Sequence, residues 1–370
     1  MASLMYFLVF SLGIIIQITH SHGTMMTCLP KKHAALFIFG DSLFDNGNNN
    51  YINTTTGYQA NFPPYGETFF KYASGRFSDG RMIQDHVAEL AGLPLPPPYL
   101  HPGNPEYIYG VNFASAGAGA LRESNKGYVI DLKTQASYFR NIKTLLRKRL
   151  GDAEAEELLS KSVYLFSIGA DDYGYLLDPE SGVHRRPGDD QQFVDNVMGN
   201  ITEVIKEIYN LGGKKFGFVN MGPAGCSPGI RYFINNGSTG PCYEEVSAIA
   251  RLHNYKLSKM LQKLEKQLKG FKYSINDFYS AVSQVMNYPS KYGFKEVTAG
   301  CCGGGAYRGD DSCGGKRGIK EYELCDNVNE YLFFDSLHPT DRASQHFAQL
   351  IWNGSPTVTR PYNLKQLFDF

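Results

Sequence analysis

The sequence predicts an α/β protein built on a five-stranded parallel sheet. Five short apolar runs, 34–39, 108–113, 162–168, 215–220 and 272–277, have the length and composition of buried strands. Between them lie longer segments with apolar residues at helical spacing, most clearly 81–91, 132–150, 193–211 and 244–268. Strands alternating with helices give a parallel sheet covered on both faces. Such sheets bind ligands outside the carboxyl ends of their strands, and Ser42, Gly117 and Asp171 each follow a predicted strand end.

The first run ends in Gly40-Asp41-Ser42-Leu43, a glycine break that presents a serine. After the helix at 81–91, residues 93–105 carry six prolines and a glycine and read as an ordered loop leading to the second strand. In 244–268, Val246, Ala250, Leu257, Leu261, Leu264 and Leu268 recur at helical spacing with lysines between them. A last helix, 341–352, follows His338.

Lys+Arg and Asp+Glu both total 36, so charge gives no reason to expect a nucleic-acid or anionic-membrane partner. Hydrophobic content of 42% is enough for a full core, and nothing resembling a linker or repeat divides the chain. The apolar stretch 4–18 has the length and position of a signal-peptide core, too short to span a bilayer. The expectation is therefore a leader, 1–23, followed by one domain, 24–370, secreted and without stable membrane insertion. Four N-x-Ser/Thr sequons, at Asn53, Asn200, Asn236 and Asn353, are candidate glycosylation sites. Of seven cysteines, four cluster late, at Cys301, Cys302, Cys313 and Cys325. Their spacing fits no CxxC-type metal site, which favours disulfides in an oxidising compartment. With an odd count, at least one thiol stays free or pairs with another chain. No metal or cofactor is expected. Oligomeric state is not legible.

Near the far end the chain reads Phe334-Asp335-Ser336-Leu337-His338-Pro339. A serine hydroxyl is a poor nucleophile until a base takes its proton, and a carboxylate orients a histidine for that task. Ser42 is the candidate nucleophile, His338 the base and Asp335 its orienting acid. A serine after a strand also serves as a helix cap, and Asp335 could cap the closing helix. The acid–histidine pair, three residues apart on one turn, favours the catalytic reading. A competitor is Ser227, because Gly225-Cys226-Ser227-Pro228-Gly229 satisfies G-x-S-x-G. That elbow needs a strand ending at the serine and a long helix after it. Here the strand ends earlier and residues 230–241 are rich in glycine and asparagine, so that stretch cannot be the long helix.

GDSLFDNGNNN (40–50), SGRFSDGR (74–81), YGVNFASAGAG (109–119), SIGADDY (167–173), FVNMGPAGCSP (218–228) and FFDSLHPT (333–340) occur in this order. Together they resemble the plant secreted GDSL esterase/lipases, a branch of the SGNH hydrolases, over nearly the whole mature chain. The resemblance implies a three-layer α/β/α, flavodoxin-like fold and an ester substrate. It also implies an oxyanion hole made by the Ser42 N–H, Gly117 and the residue at 171. The family has asparagine at that last position; this chain has Asp171. An amide donates a hydrogen bond, whereas an ionised carboxylate only accepts one. The reading is a secreted serine esterase or lipase. Its alternatives are an acyltransferase to an alcohol, or a weakly active glycoprotein that binds a ligand.

Overall fold

The structure is a computed structural model describing residues 33–103, 106–174 and 189–370. The expected leader, with its 4–18 core, and Cys28 lie outside the described residues. Five parallel strands, β1 (Leu36–Gly40), β2 (Gly110–Asn112), β3 (Val163–Ser167), β4 (Lys215–Val219) and β5 (Lys272–Asn276), line up in the order 2-1-3-4-5. This is the flavodoxin-like order. Two short pairs lie apart from the sheet: β6 (Glu296–Gly300) with β9 (Tyr331–Phe333), and β7 (Cys302–Gly303) with β8 (Glu323–Leu324). A sixth strand of the main sheet, β10 (Thr359–Pro361), pairs antiparallel with β5. The five-strand expectation missed it. It is three residues long and holds a proline, which an edge strand tolerates because one side needs no ladder donor.

The helices are α1 (Ile83–Leu90), α2 (Leu132–Leu150), α3 (Asp152–Lys161), α4 (Ala170–Gly174), α5 (Asp189–Asn210), α6 (Pro228–Ile234), α7 (Glu244–Gln267), α8 (Phe278–Asn287), α9 (Asp341–Asn353) and α10 (Leu364–Asp369). Successive strand residues point to opposite faces. Phe37 and Phe39 of β1 therefore pack with Phe139 of α2, Ile201 of α5 and Leu261 of α7. Leu36 and Ile38 pack on the other face with Val87 of α1, Val282 of α8 and Phe347 of α9. The result is three layers. The helix expected at 132–150 begins where Asp131 accepts hydrogen bonds from the Lys133 and Thr134 N–H groups. Its end is set by Gly151, at φ 90°.

A third apolar cluster lies outside the two main layers. Phe62, Tyr65, Phe77 and Phe334 pack there with disulfides Cys301–Cys325 and Cys302–Cys313. The other described disulfide, Cys226–Cys242, ties the segment before α6 to the start of α7. The six cysteines of the described residues are thus paired.

Candidate active site

Gly40 sets up the serine. At φ +153° a side chain there would lie 2.2 Å from the Ser167 carbonyl oxygen of β3, so the strand can pass only as glycine. The buried Gln135 amide of α2 clamps Gly40, accepting from its N–H and donating to its carbonyl, both at 2.9 Å. The chain then turns out of the sheet and projects Ser42.

His338 Nε2 lies 2.8 Å from Ser42 Oγ. Its Nδ1 is 2.9 Å from each Asp335 carboxylate oxygen. With the Nδ1 proton held by the carboxylate, Nε2 is left to accept from the serine hydroxyl. Asp335 Oδ1 also accepts from the backbone N–H groups of Leu337, at 2.9 Å, and His338, at 2.8 Å. The three-residue spacing thus folds into one tight turn. Burial alone would raise the Asp335 carboxyl; the His338 imidazole and the Arg317 guanidinium outweigh it and hold the group well below the usual carboxylate range.

Behind this turn stand residues the sequence did not single out. Tyr65 donates its hydroxyl to Asp335 Oδ2 at 2.8 Å and accepts from Arg317 Nη1 at 2.8 Å. Arg317 is buried among Phe62, Tyr65 and Phe77, and it also pairs with Asp311 at 3.0 Å. Phe77, from the SGRFSDGR block, packs on the His338 ring with centroids 4.7 Å apart. Tyr65 is one of 25 tyrosines and Arg317 lies in a glycine-rich loop, so neither carried a local signal.

The rest of the GDSLFDNGNNN run builds the wall beside the serine. Asp45 accepts from the N–H groups of Gly47, Asn48 and Ala116. Asn48 donates to the carbonyls of Asn112 and Ala114, and Asn49 donates to that of Ala116. The loop after β2 is thus fixed to the loop after β1. Gly117, at φ +81°, lies in that loop; a side chain there would meet the Tyr58 ring at 2.5 Å. Among the described residues, the Ser42 and Gly117 N–H groups have no hydrogen-bond partner, as an oxyanion donor must. Gly117 is nevertheless not among the residues lining the cavity at Ser42.

Asp171 does line that cavity, together with Ser42 and His338. Burial pushes its carboxyl well above the usual range, and the nearby Asp41 and Asp172 reinforce the shift. Asp41 itself is buried and pushed up to about 7. Asp172 instead is structural: it accepts from the Ala120 and Leu121 N–H groups and from Ser124 Oγ.

Ser227 also lines the cavity, but its hydroxyl donates to the Ala224 carbonyl at 2.8 Å and no base faces it. The helix after it, α6, is short and begins at Pro228. Proline at the first helical position is pre-set for a helix start, and the helix runs only seven residues in all before Asn235 and Gly237 end it. Three sequon asparagines, Asn53, Asn236 and Asn353, are exposed; Asn200 is half-buried within α5 and donates to the Asn196 carbonyl. Among the described residues no cluster of three or more His, Cys, Asp or Glu could hold a metal, and no helix is long and apolar enough to cross a membrane.

Residues 36–351 match the GDSL-like lipase/acylhydrolase family. GDSL esterase/lipase 1 of Arabidopsis thaliana is 47% identical over 369 residues, covering 99% of this chain and 96% of its own. GDSL esterase/lipase 2 of the same plant is 48% identical, covering 92% and 91% of the two chains. A GDSL lipase of Tanacetum cinerariifolium is 50% identical over 343 residues, covering 92% and 90%.

Proposed function

Given that the chain belongs to the GDSL-like lipase/acylhydrolase family and is a carboxylic ester hydrolase, we propose that it works through an acyl-enzyme on Ser42. The continuous line of hydrogen bonds from Ser42 Oγ through His338 to Asp335 carries this reading. His338 takes the serine proton as Oγ attacks the ester carbonyl, then gives it to the departing alcohol. Water, deprotonated by the same imidazole, releases the acid and restores the serine. The oxyanion is held by the N–H groups of Ser42 and Gly117 and by the Asp171 carboxyl in its protonated form, which donates as an asparagine would. The working protein is one domain, 24–370, secreted after loss of a leader and glycosylated. The leader sequence and the sequons support that part.

A fluorophosphonate probe followed by peptide mapping tests the nucleophile. Label on the Ser42 peptide, lost in Ser42→Ala, is expected; label on Ser227, or undiminished label in Ser42→Ala, rejects it. Asp171 also favours a second reading, an acyltransferase. Adding short alcohols to the assay separates the two, since a transferase gives mainly new ester in place of acid.

A further inference from the structure

A second cavity, of about 480 Å³, lies between residues 68–81 and the first turn of α9, and it shares no lining residue with the one at Ser42. Its charged residues are two acids, Asp79 and Asp341, and two arginines, Arg81 and Arg342. All four are already engaged. Asp79 accepts from Thr68 Oγ1 at 2.7 Å and from the Asp341 N–H at 2.8 Å. The Asp341 carboxylate accepts from the Arg81 N–H at 2.6 Å and lies 3.1 Å from His86 Nε2. Arg81 also reaches Glu89 at 3.0 Å, and Arg342 donates to the Asn329 carbonyl. Within the first turn of α9, Thr340 Oγ1 meets the Ala343 N–H as Asp79 meets that of Asp341. The charges therefore cancel within the wall. An anion would face the two carboxylates and a cation the two guanidiniums, and either would have to break an existing pair.

What the wall leaves available is neutral. The side-chain amides of Asn329 and Gln345 are exposed and, among the described residues, have no hydrogen-bond partner. Each carries donors and an acceptor, the complement of a pair of neighbouring hydroxyls. Phe69 adds an apolar surface: it is 42% exposed, and the Arg81 guanidinium lies 4.2 Å from its ring centre and steadies it. From this combination we infer that the cavity is a carbohydrate-binding site that takes an uncharged sugar unit of a glycan chain. Hydroxyl groups pair with the two amides, and the C–H face of the sugar packs on Phe69. Thr68, Phe69, Asn329 and Gln345 are all exposed, so the cavity is an open pit, and the chain beyond the bound unit can continue into solvent. The site goes beyond the esterase reading and does not rest on it. It holds the protein on a glycan while Ser42 remains free to react.

Native electrophoresis of the secreted protein through gels cast with galactomannan, xyloglucan or arabinoxylan tests this, with polygalacturonate as the charged control. Calorimetric titration with a high-mannose glycopeptide asks whether the glycan belongs to a glycoprotein instead. At least one neutral glycan should bind wild type and Ser42→Ala alike. The double variant Asn329→Ala/Gln345→Ala should weaken that binding about tenfold, and Phe69→Ala about fivefold. Turnover of p-nitrophenyl acetate should be unchanged in both, which also shows that they fold. No binding to any of the neutral glycans overturns the inference, as does binding undiminished in both variants or a preference for polygalacturonate. Binding that is lost in Ser42→Ala, or displaced by the acetate ester, places the sugar at the reacting site and overturns it as well. Failure of the esterase reading leaves this test intact, because binding is read without turnover.

Discussion

Replacing Asp171 by asparagine exchanges a group that donates only when protonated for one that donates at every pH. Burial and the neighbouring Asp41 and Asp172 carboxyls keep Asp171 protonated well above the ordinary range of an aspartate. Below its titration, wild type and Asp171→Asn present equivalent donors, and their turnover should be similar. Above it, the wild type loses one oxyanion donor and gains a negative charge where negative charge develops. Loss of a single donor is worth about 10²–10³ in kcat. The ratio of mutant to wild-type kcat should therefore climb about tenfold per pH unit past the titration and level near that ceiling. Because Asp41 is also raised, to about 7, the two carboxyls titrate as a pair and the climb should be broad. Stability gives an independent reading. A carboxyl raised on folding costs nothing below the unfolded value, about 4, and costs progressively more as pH rises through the folded value. Asp171→Asn should accordingly melt at a higher temperature than wild type at pH 8 and at a similar one at pH 4. Stopped assays on an acetyl ester from pH 5 to 9, with paired thermal melts, measure both. A kcat ratio that is flat with pH, or below one throughout, refutes the donor role and points to Asp171 serving an acceptor alcohol.

Other outcomes follow from the same geometry. Tyr65→Phe removes a hydrogen bond to a charged acceptor, worth about 1.5–3 kcal/mol; kcat should fall about tenfold or more while KM holds, because Tyr65 does not line the cavity, and a change confined to KM counts against this. Gly40→Ala should prevent accumulation of folded protein, since its side chain would meet the Ser167 carbonyl at 2.2 Å; normal circular dichroism and activity would contradict the strain argument. The secreted protein should begin near residue 23 and lose mass on glycosidase treatment, which intact-mass measurement checks; Met1 retained, or no mass shift, argues against secretion through a leader.

The elements were legible where periodicity was strong. Segment 132–150 is a helix at those very bounds, and the 244–268 expectation overran the observed α7 by one residue. These helices bury one stripe and are punctuated at their ends, so local sequence and tertiary packing agree. The second strand was harder. Residues 107–109 form a 3-10 turn, and only Gly110–Asn112 joins the sheet. An apolar run alone does not say where its pairing begins. Strand β10 and helix α3 went unseen because the strand is very short and α3 sits one glycine beyond α2. At the site, Ser42, Asp335 and His338 could be proposed because their chemistry depends on residue type and on nearness to a strand end. Tyr65 and Arg317 could not, because their role depends on a contact across more than 250 residues.

That difference explains how the sequence blocks are arranged. Within GDSLFDNGNNN, Asp45, Asn48 and Asn49 bond backbone groups at the end of β2 and in the loop after it. A wall made by side chains holding backbone cannot tolerate a change of residue type at those positions, since each substitution strands a buried polar group. It also fixes the Gly117 loop relative to Ser42. Asp335 and His338 arrive from the opposite end of the chain, on a turn stapled from behind by Tyr65, Arg317 and the disulfide-bearing loops. The Ser42 side is thus held by hydrogen bonds between the loops after β1 and β2, and the Asp335–His338 turn by the disulfide-cross-linked cluster. Reduction of Cys301–Cys325 and Cys302–Cys313 should loosen His338 and Asp335 while the main sheet stays folded. Activity on an acetyl ester should then be lost at lower reductant than far-UV circular dichroism. Simultaneous loss of the two signals would mean that the cluster and the sheet fold as one unit.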